Sequence, residues 1–146
     1  MTQTEWQQGE YTLSTDDTRL DVALIHSFLS ERAYWAKGRT RAAIERSIAN
    51  SLAFGVYRAD RQVGFARVIT DYATFAYLAD VFILEEERGR GLGKLLLATI
   101  VQHPELQGLR HWLLATQDAH GLYRQYGFSE LKQPDLWLER FKEPQS

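Results

Sequence analysis

The 146-residue chain contains no cysteine. That excludes a thiol nucleophile, a thiolate metal ligand and any disulfide, and it suits a reducing compartment. Proline is scarce, with three residues, so few elements are forcibly broken. No stretch approaches the roughly 20 apolar residues that span a bilayer. The N-terminal MTQTEWQQGEY has neither a basic start nor an apolar run, so no signal peptide is expected and the expected location is cytoplasmic. Charge of one sign is also missing. A formal net charge of −2 gives no bulk attraction to nucleic acid or to an anionic membrane. The four histidines never fall at i, i+4, and neither H-E-x-x-H nor G-x-S-x-G occurs. A metal site and a serine-hydrolase elbow are therefore not expected.

What remains is ordinary globular composition, 45% hydrophobic and 25% charged, at a length that supports one domain, residues 1–146, with its own core. The chain is organised around Asp80 to Ile100. Phe75 to Leu84 is apolar and partly β-branched and reads as a strand. Glu85 to Arg90 is a charged break. From Gly91 the leucines at 92, 95 and 96 and Ile100 recur at helical spacing. A strand that feeds a glycine-rich turn and then a helix makes an anion cradle. Glycines admit the ligand to the backbone, and the first helical turn offers free N–H groups and the positive end of the helix dipole.

The loop Arg88-Gly89-Arg90-Gly91-Leu92-Gly93-Lys94 fits neither common nucleotide fingerprint. Arg88 and Leu95 stand where a nucleotide-hydrolase loop needs Gly and Ser or Thr, and the glycine spacing is wrong for a dinucleotide site. The pattern R-x-x-G-x-G at 88, 91 and 93 does resemble the pyrophosphate loop of the GCN5-related N-acetyltransferase (GNAT) superfamily. A second stretch is also similar to that superfamily. Asp118-Ala119-His120-Gly121-Leu122-Tyr123 leads to Gly127-Phe128 in the manner of its late L-Y-x-x-x-G-F signature. Together with Tyr34-Trp35-Ala36-Lys37-Gly38-Arg39, these motifs look most like a small bacterial group of single-domain N-acetyltransferases.

Around these motifs the pattern predicts a short strand over 10–14 after a loose, polar 1–9. A helix follows from the Thr15-Asp16-Asp17 cap to about Leu29, and a second over 41–50 capped by Thr40. Strands are expected at 51–58, 62–70 and 75–84. The cradle helix should stop at His103-Pro104. A strand at 110–115, a helix at 119–126 and a last strand at 136–141 complete the chain. Parallel pairing of 110–115 with 75–84 makes a right-handed βαβ unit. The resemblance implies the corresponding α/β fold: a mixed, mostly antiparallel sheet of six or seven strands, about four helices, and one splayed parallel pair.

The resemblance also implies the chemistry, with acetyl-CoA as donor. Backbone groups from Arg88 to Lys94 would hold its pyrophosphate, with Arg88 and Arg90 adding charge. The free edge at Val81, Phe82 and Ile83 would pair with the pantetheine, and Thr116 would lie at the start of the later helix. Tyr123 carries over as the acid that meets the leaving thiolate, and Tyr126 has no counterpart role. Tyr34 and Trp35 would line the acceptor side or pack as a loop. Asp80, placed in an apolar run, is either the base or amine anchor or a structural hydrogen-bonding group. His120 is the second candidate base, or packs on its helix. His26 reads as a helix histidine and Asp71 as a turn residue. The expected reaction is direct attack of a small molecule's primary amine on acetyl-CoA. The alternatives are acetylation of a protein lysine or N-terminus and a non-catalytic acyl-CoA-binding module. A homodimer stays open.

Overall fold

The computed structural model describes residues 4–142. One six-stranded sheet runs in the order β1-β2-β3-β4-β5-β6, with β1 Glu5–Gln8, β2 Tyr11–Ser14, β3 Leu52–Arg58, β4 Arg61–Thr70, β5 Phe75–Ile83 and β6 His111–Leu114. Every neighbouring pair is antiparallel except β5 with β6. Four α-helices, α1 Val22–Arg32, α2 Arg41–Ala49, α3 Leu92–Val101 and α4 His120–Arg124, complete the expected mixed fold.

The helices begin where the capping chemistry dictates. Thr40 Oγ1 accepts from the Ala43 N–H and starts α2 as expected. The first helix differs from its reading. Asp16 caps only a single turn over Asp17–Arg19, and Asp21 then accepts from Leu24 N–H to start α1. Two capping aspartates five residues apart define two starts, and the second wins the long helix because the core face begins after it. Ile25, Phe28 and Leu29 are buried.

Both ends of the chain correct the sequence reading. Glu5–Gln8, expected to be loose, pairs with Tyr11–Ser14 through the Gly9 turn at φ +58. The hairpin is held by its pairing to β3, a non-local contact that no local pattern announces. The strand expected over 136–141 does not form. Pro134–Leu136 make a single tight turn, and residues 137–142 have no strand partner and are exposed.

The core lies on both faces of the sheet. On one side Phe28 of α1 stacks on Phe82 of β5 with ring centroids 4.0 Å apart, and Phe65 of β4 leans against the same ring. An aromatic pair of this kind adds about 0.5–1.5 kcal/mol beyond its buried area. On the other side α3 buries Leu92, Leu96, Leu97 and Ile100.

Candidate functional site

Two irregularities in β5 shape the site. The first is a bulge. The register with β4 runs Phe65↔Phe82 and then Arg67↔Ala79, so Asp80 and Val81 stand opposite Ala66 alone. Asp80 takes φ +56, a left-handed conformation that aspartate tolerates better than most residues. The bulge turns its carboxylate into the space beside the α1–α2 connection. There it is 5% exposed and accepts three hydrogen bonds. Trp35 Nε1 donates to Oδ1 at 3.0 Å, and Arg39 and Arg67 donate to Oδ2 at 2.8 and 2.9 Å. Arg67 donates onward to Ser51 Oγ at 3.0 Å.

The second irregularity is the splay. Parallel pairing with β6 runs from Phe75↔His111 to Leu78↔Leu114 and stops. Beyond it, Ala79 to Ile83 have no strand on the β6 side, although Phe82 and Ile83 still pair with β4. Val81, Phe82 and Ile83 therefore face no strand on the β6 side, and Ile83 O accepts there only from Arg88 Nε among the described residues.

The open edge leads into the glycine loop. Gly89 and Gly91 sit at φ +82 and +76, a region that favours glycine, and no atom lies within 4 Å of where a Cβ on either would stand. The first bond of the α3 ladder is Leu95 N–H to Gly91 O at 3.0 Å, so the N–H groups of Leu92, Gly93 and Lys94 have no helical acceptor. This cradle suits a pyrophosphate: it has open space, free donors and the positive end of a helix dipole. The two arginines differ. Arg88 Nε donates to Ile83 O at 3.2 Å and is otherwise exposed at the rim. The Arg90 side chain is turned away, to Tyr11 Oη at 3.0 Å and to Glu87 at 3.6 Å, which leaves its backbone at the loop.

Glu87 was not foreseen. Within the charged run it is 2% exposed, and it accepts from Tyr11 Oη and from Arg58, so it fastens the loop to β2 and β3. Three successive glutamates gave no sign of which one turns inward. Its partner Arg58 lies 29 positions away.

Across the splay, Thr116 Oγ1 accepts from Ala119 N–H at 3.3 Å and closes the turn that enters α4. The exposed His120 ring donates through Nε2 to Thr116 O at 3.1 Å. Tyr123 is 9% exposed. Burial pushes its phenol up to about 12, with smaller contributions from Asp118 and Tyr34. Its hydroxyl therefore stays protonated throughout the neutral range. Tyr126 donates instead to Lys94 O at 3.0 Å and ties α4 to the first turn of α3. Tyr34, half-exposed, accepts from Gln117 N–H at 2.9 Å and meets Trp35 edge to face at 5.1 Å. The α1–α2 connection is thereby linked to the β6–α4 loop. Asp71 stays a turn residue, bonded to its own neighbours. No group of three His, Asp or Glu side chains suited to a metal occurs among the described residues.

Comparison with known proteins agrees with this architecture. Residues 49–130 match the profile of the acetyltransferase (GNAT) domain family. A Gibberella zeae protein assigned as an acetyltransferase is 32% identical over 153 residues, which cover 89% of this chain and 85% of the relative. A crystal structure from Xanthomonas campestris pv. campestris, of a protein assigned to the GNAT family, is 51% identical with a TM-score of 0.90, covering 93% and 96% of the two chains. A Clostridium acetobutylicum protein assigned as an acetyltransferase and solved with acetyl-CoA shares the fold, with a TM-score of 0.65 at 14% identity over 90% and 94% of the chains.

Proposed function

Because the chain belongs to the GNAT acetyltransferase family, for which acetyl-CoA is the donor, we propose that it acetylates the primary amine of a small molecule by direct attack. The observation that carries the small-molecule reading is the link between Tyr34 and Gln117. A long groove would suit a peptide. In this reading Tyr34 and Trp35 border the acceptor side, and the hydrogen bond from Gln117 N–H to Tyr34 Oη ties that border to the opposite loop. A protein lysine or N-terminus would have to displace it.

Acetyl-CoA supplies the activated acetyl thioester. Gly89 to Lys94 offer it the backbone cradle, and the unpaired edge of β5 from Val81 to Ile83 offers donors and acceptors to its amide arm. An N–H from that edge directed at the thioester carbonyl would stabilise the charge that develops on oxygen. Asp80 is 5% exposed and both its oxygens are already taken by Trp35, Arg39 and Arg67, so in this reading it holds Trp35 in place at the acceptor side and does not itself bind the amine. The amine's proton leaves through water, with exposed His120 as the other candidate base.

Tyr123 meets the departing sulfur. At about 12 its phenol is well above a thiol at ~8.5, so complete proton transfer to the thiolate is uphill by roughly three to four pH units. The role that follows is donation of a hydrogen bond to the developing thiolate, with the proton finally drawn from water. The non-catalytic alternative has no use for a buried, protonated phenol at that point. The reading includes a cytoplasmic setting, where the donor is available. A panel of small primary amines and lysine peptides, assayed with acetyl-CoA by release of free thiol, tests it. Faster turnover of peptides than of every small amine overturns the small-molecule assignment. No turnover of any acceptor favours a binding module.

A further inference from the structure

Asp80 neutralises only half of the positive charge gathered around it. Among the described residues it is the one carboxylate that either Arg39 or Arg67 pairs with. Both guanidinium groups are charged at every accessible pH, so the cluster keeps a surplus of one positive charge. Their donors are also unspent. A guanidinium carries five N–H groups. Arg39 uses Nη1 on Asp80 Oδ2, while Arg67 uses Nε on the same oxygen and Nη1 on Ser51 Oγ. The Nη2 groups of both, and Nε of Arg39, have no partner among the described residues. The side chain of Arg67 is only 11% exposed and that of Arg39 27%. Cations this far out of water, sharing one counter-charge, are costly unless a further anion completes them.

The cluster also stands in a telling place. Arg67 lies opposite Ala79, one residue past the last parallel rung at Leu78 and just before the unpaired stretch of β5. Arg39 belongs to the same α1–α2 connection as Tyr34 and Trp35. The two guanidinium groups therefore sit between the aromatic border and the edge that receives the thioester in the function proposed above. We propose that Arg39 and Arg67 form an anion subsite on the acceptor side, so that the amine acetylated here also carries a carboxylate, as an amino acid does. The inference rests on the small-molecule reading and narrows it. The planar fork of an arginine matches a carboxylate, and a charge-assisted bond of this kind is stronger than a neutral one. The same surplus charge rejects a diamine, which would bring a second cation to the place of the carboxylate.

The test is a set of amino acids, each paired with the amine left by its decarboxylation or a chain of similar length. Phenylalanine with phenethylamine and γ-aminobutyrate with butylamine are two such pairs, and putrescine is the matching diamine. With acetyl-CoA and thiol release as readout, the better acid is expected to exceed its uncharged partner in kcat/KM at least about tenfold, with putrescine slowest. Arg39→Gln should lower that ratio at least about tenfold. Arg39→Lys keeps the charge beside Asp80 and should retain part of the preference, and it stands in if the glutamine variant does not fold. Were Arg39 only a support for Asp80 and Trp35, its loss would slow acid and amine alike and leave the ratio unmoved. A wild-type ratio near one overturns the proposal, as does a ratio that neither variant changes or a preference for putrescine. If no small amine turns over, it is the proposed function that has failed. Titration of the CoA complex with N-acetylphenylalanine and N-acetylphenethylamine then decides the subsite alone. Tighter binding of the acid that weakens in Arg39→Gln supports it, and equal affinities overturn it.

Discussion

Trp35 Nε1 lies 3.0 Å from Asp80 Oδ1, so a half-exposed ring at the rim of the acceptor side is fastened to a carboxylate buried in the β5 bulge. The same carboxylate holds Arg39 and Arg67. One residue thereby sets three side chains that come from the α1–α2 connection and from β4.

Asp80→Asn tests what that carboxylate does. Asparagine accepts the left-handed backbone and keeps one oxygen, but it leaves two guanidinium groups short of their counter-charge. Removing one partner of a buried ion pair costs about 3–5 kcal/mol. We expect a clear fall in melting temperature and a rise in the acceptor's KM, with little change in acetyl-CoA affinity. Were Asp80 the base, kcat would instead collapse and the acid limb of the pH–rate profile would vanish.

Trp35→Ala should raise the acceptor's KM and leave acetyl-CoA titration unchanged. Trp35→Phe keeps an aromatic ring, though a smaller one, and loses the donor to Asp80, and it should lie between wild type and alanine. A fall in melting temperature with an unaltered KM would assign Trp35 to packing.

Gly91→Glu places a charged side chain in the open space of the cradle, at a φ of +76 that costs an ordinary residue roughly 1–2 kcal/mol. Calorimetry is expected to show a folded, slightly less stable protein with no measurable acetyl-CoA binding. Retained affinity would place the pyrophosphate elsewhere.

Tyr123→Phe keeps the ring and removes the hydroxyl. Losing a positioned donor to developing charge should lower kcat at least about tenfold while acetyl-CoA affinity changes little. Tyr126→Phe is the control, and its effect should be confined to a small loss of stability, because its hydroxyl serves Lys94 O. With Tyr123 at about 12, a loss of rate below pH 10 is not its ionisation. Should Tyr126→Phe lose more turnover than Tyr123→Phe, the donor has been assigned to the wrong ring.

Tyr57→Phe addresses stability alone. Tyr57 is 1% exposed, and its hydroxyl has no hydrogen-bond partner among the described residues. Deleting a buried, unsatisfied group should be neutral or stabilising by about 1 kcal/mol. Burial raises this phenol to about 12. The folded state therefore holds its proton more tightly than the unfolded chain, near 10. Stability is intact below pH 10 and falls as the pH climbs from 10 to about 12. The phenylalanine variant should lose less stability over that interval in chemical denaturation, and an equal loss would exclude Tyr57 as a cause.

The strand–loop–helix joint, the three middle strands and the Thr40 cap were legible in the sequence because each is written within about ten neighbouring residues. The bonding around Asp80 was only half legible. An aspartate in an apolar run announces a need for partners, but Trp35, Arg39 and Arg67 come from other elements, and the bulge that aims the carboxylate exists only once β4 and β5 pair. Glu5–Gln8 was misread for the same reason, since a polar edge strand takes its order from β2 and β3. The segment 136–141 has the composition of a strand, and local pattern cannot say whether an edge stands ready to pair with it.

The four-rung parallel ladder between β5 and β6 has a dynamic consequence. Amides from Ala79 to Ile83 that face the gap are closed by no strand, so they are free to exchange with solvent while their neighbours toward Phe75 are protected. A ligand that lays its own amides along this edge serves as a temporary strand. Acetyl-CoA binding should therefore slow deuterium uptake in one half of β5 far more than in the other, and the boundary should fall at Leu78.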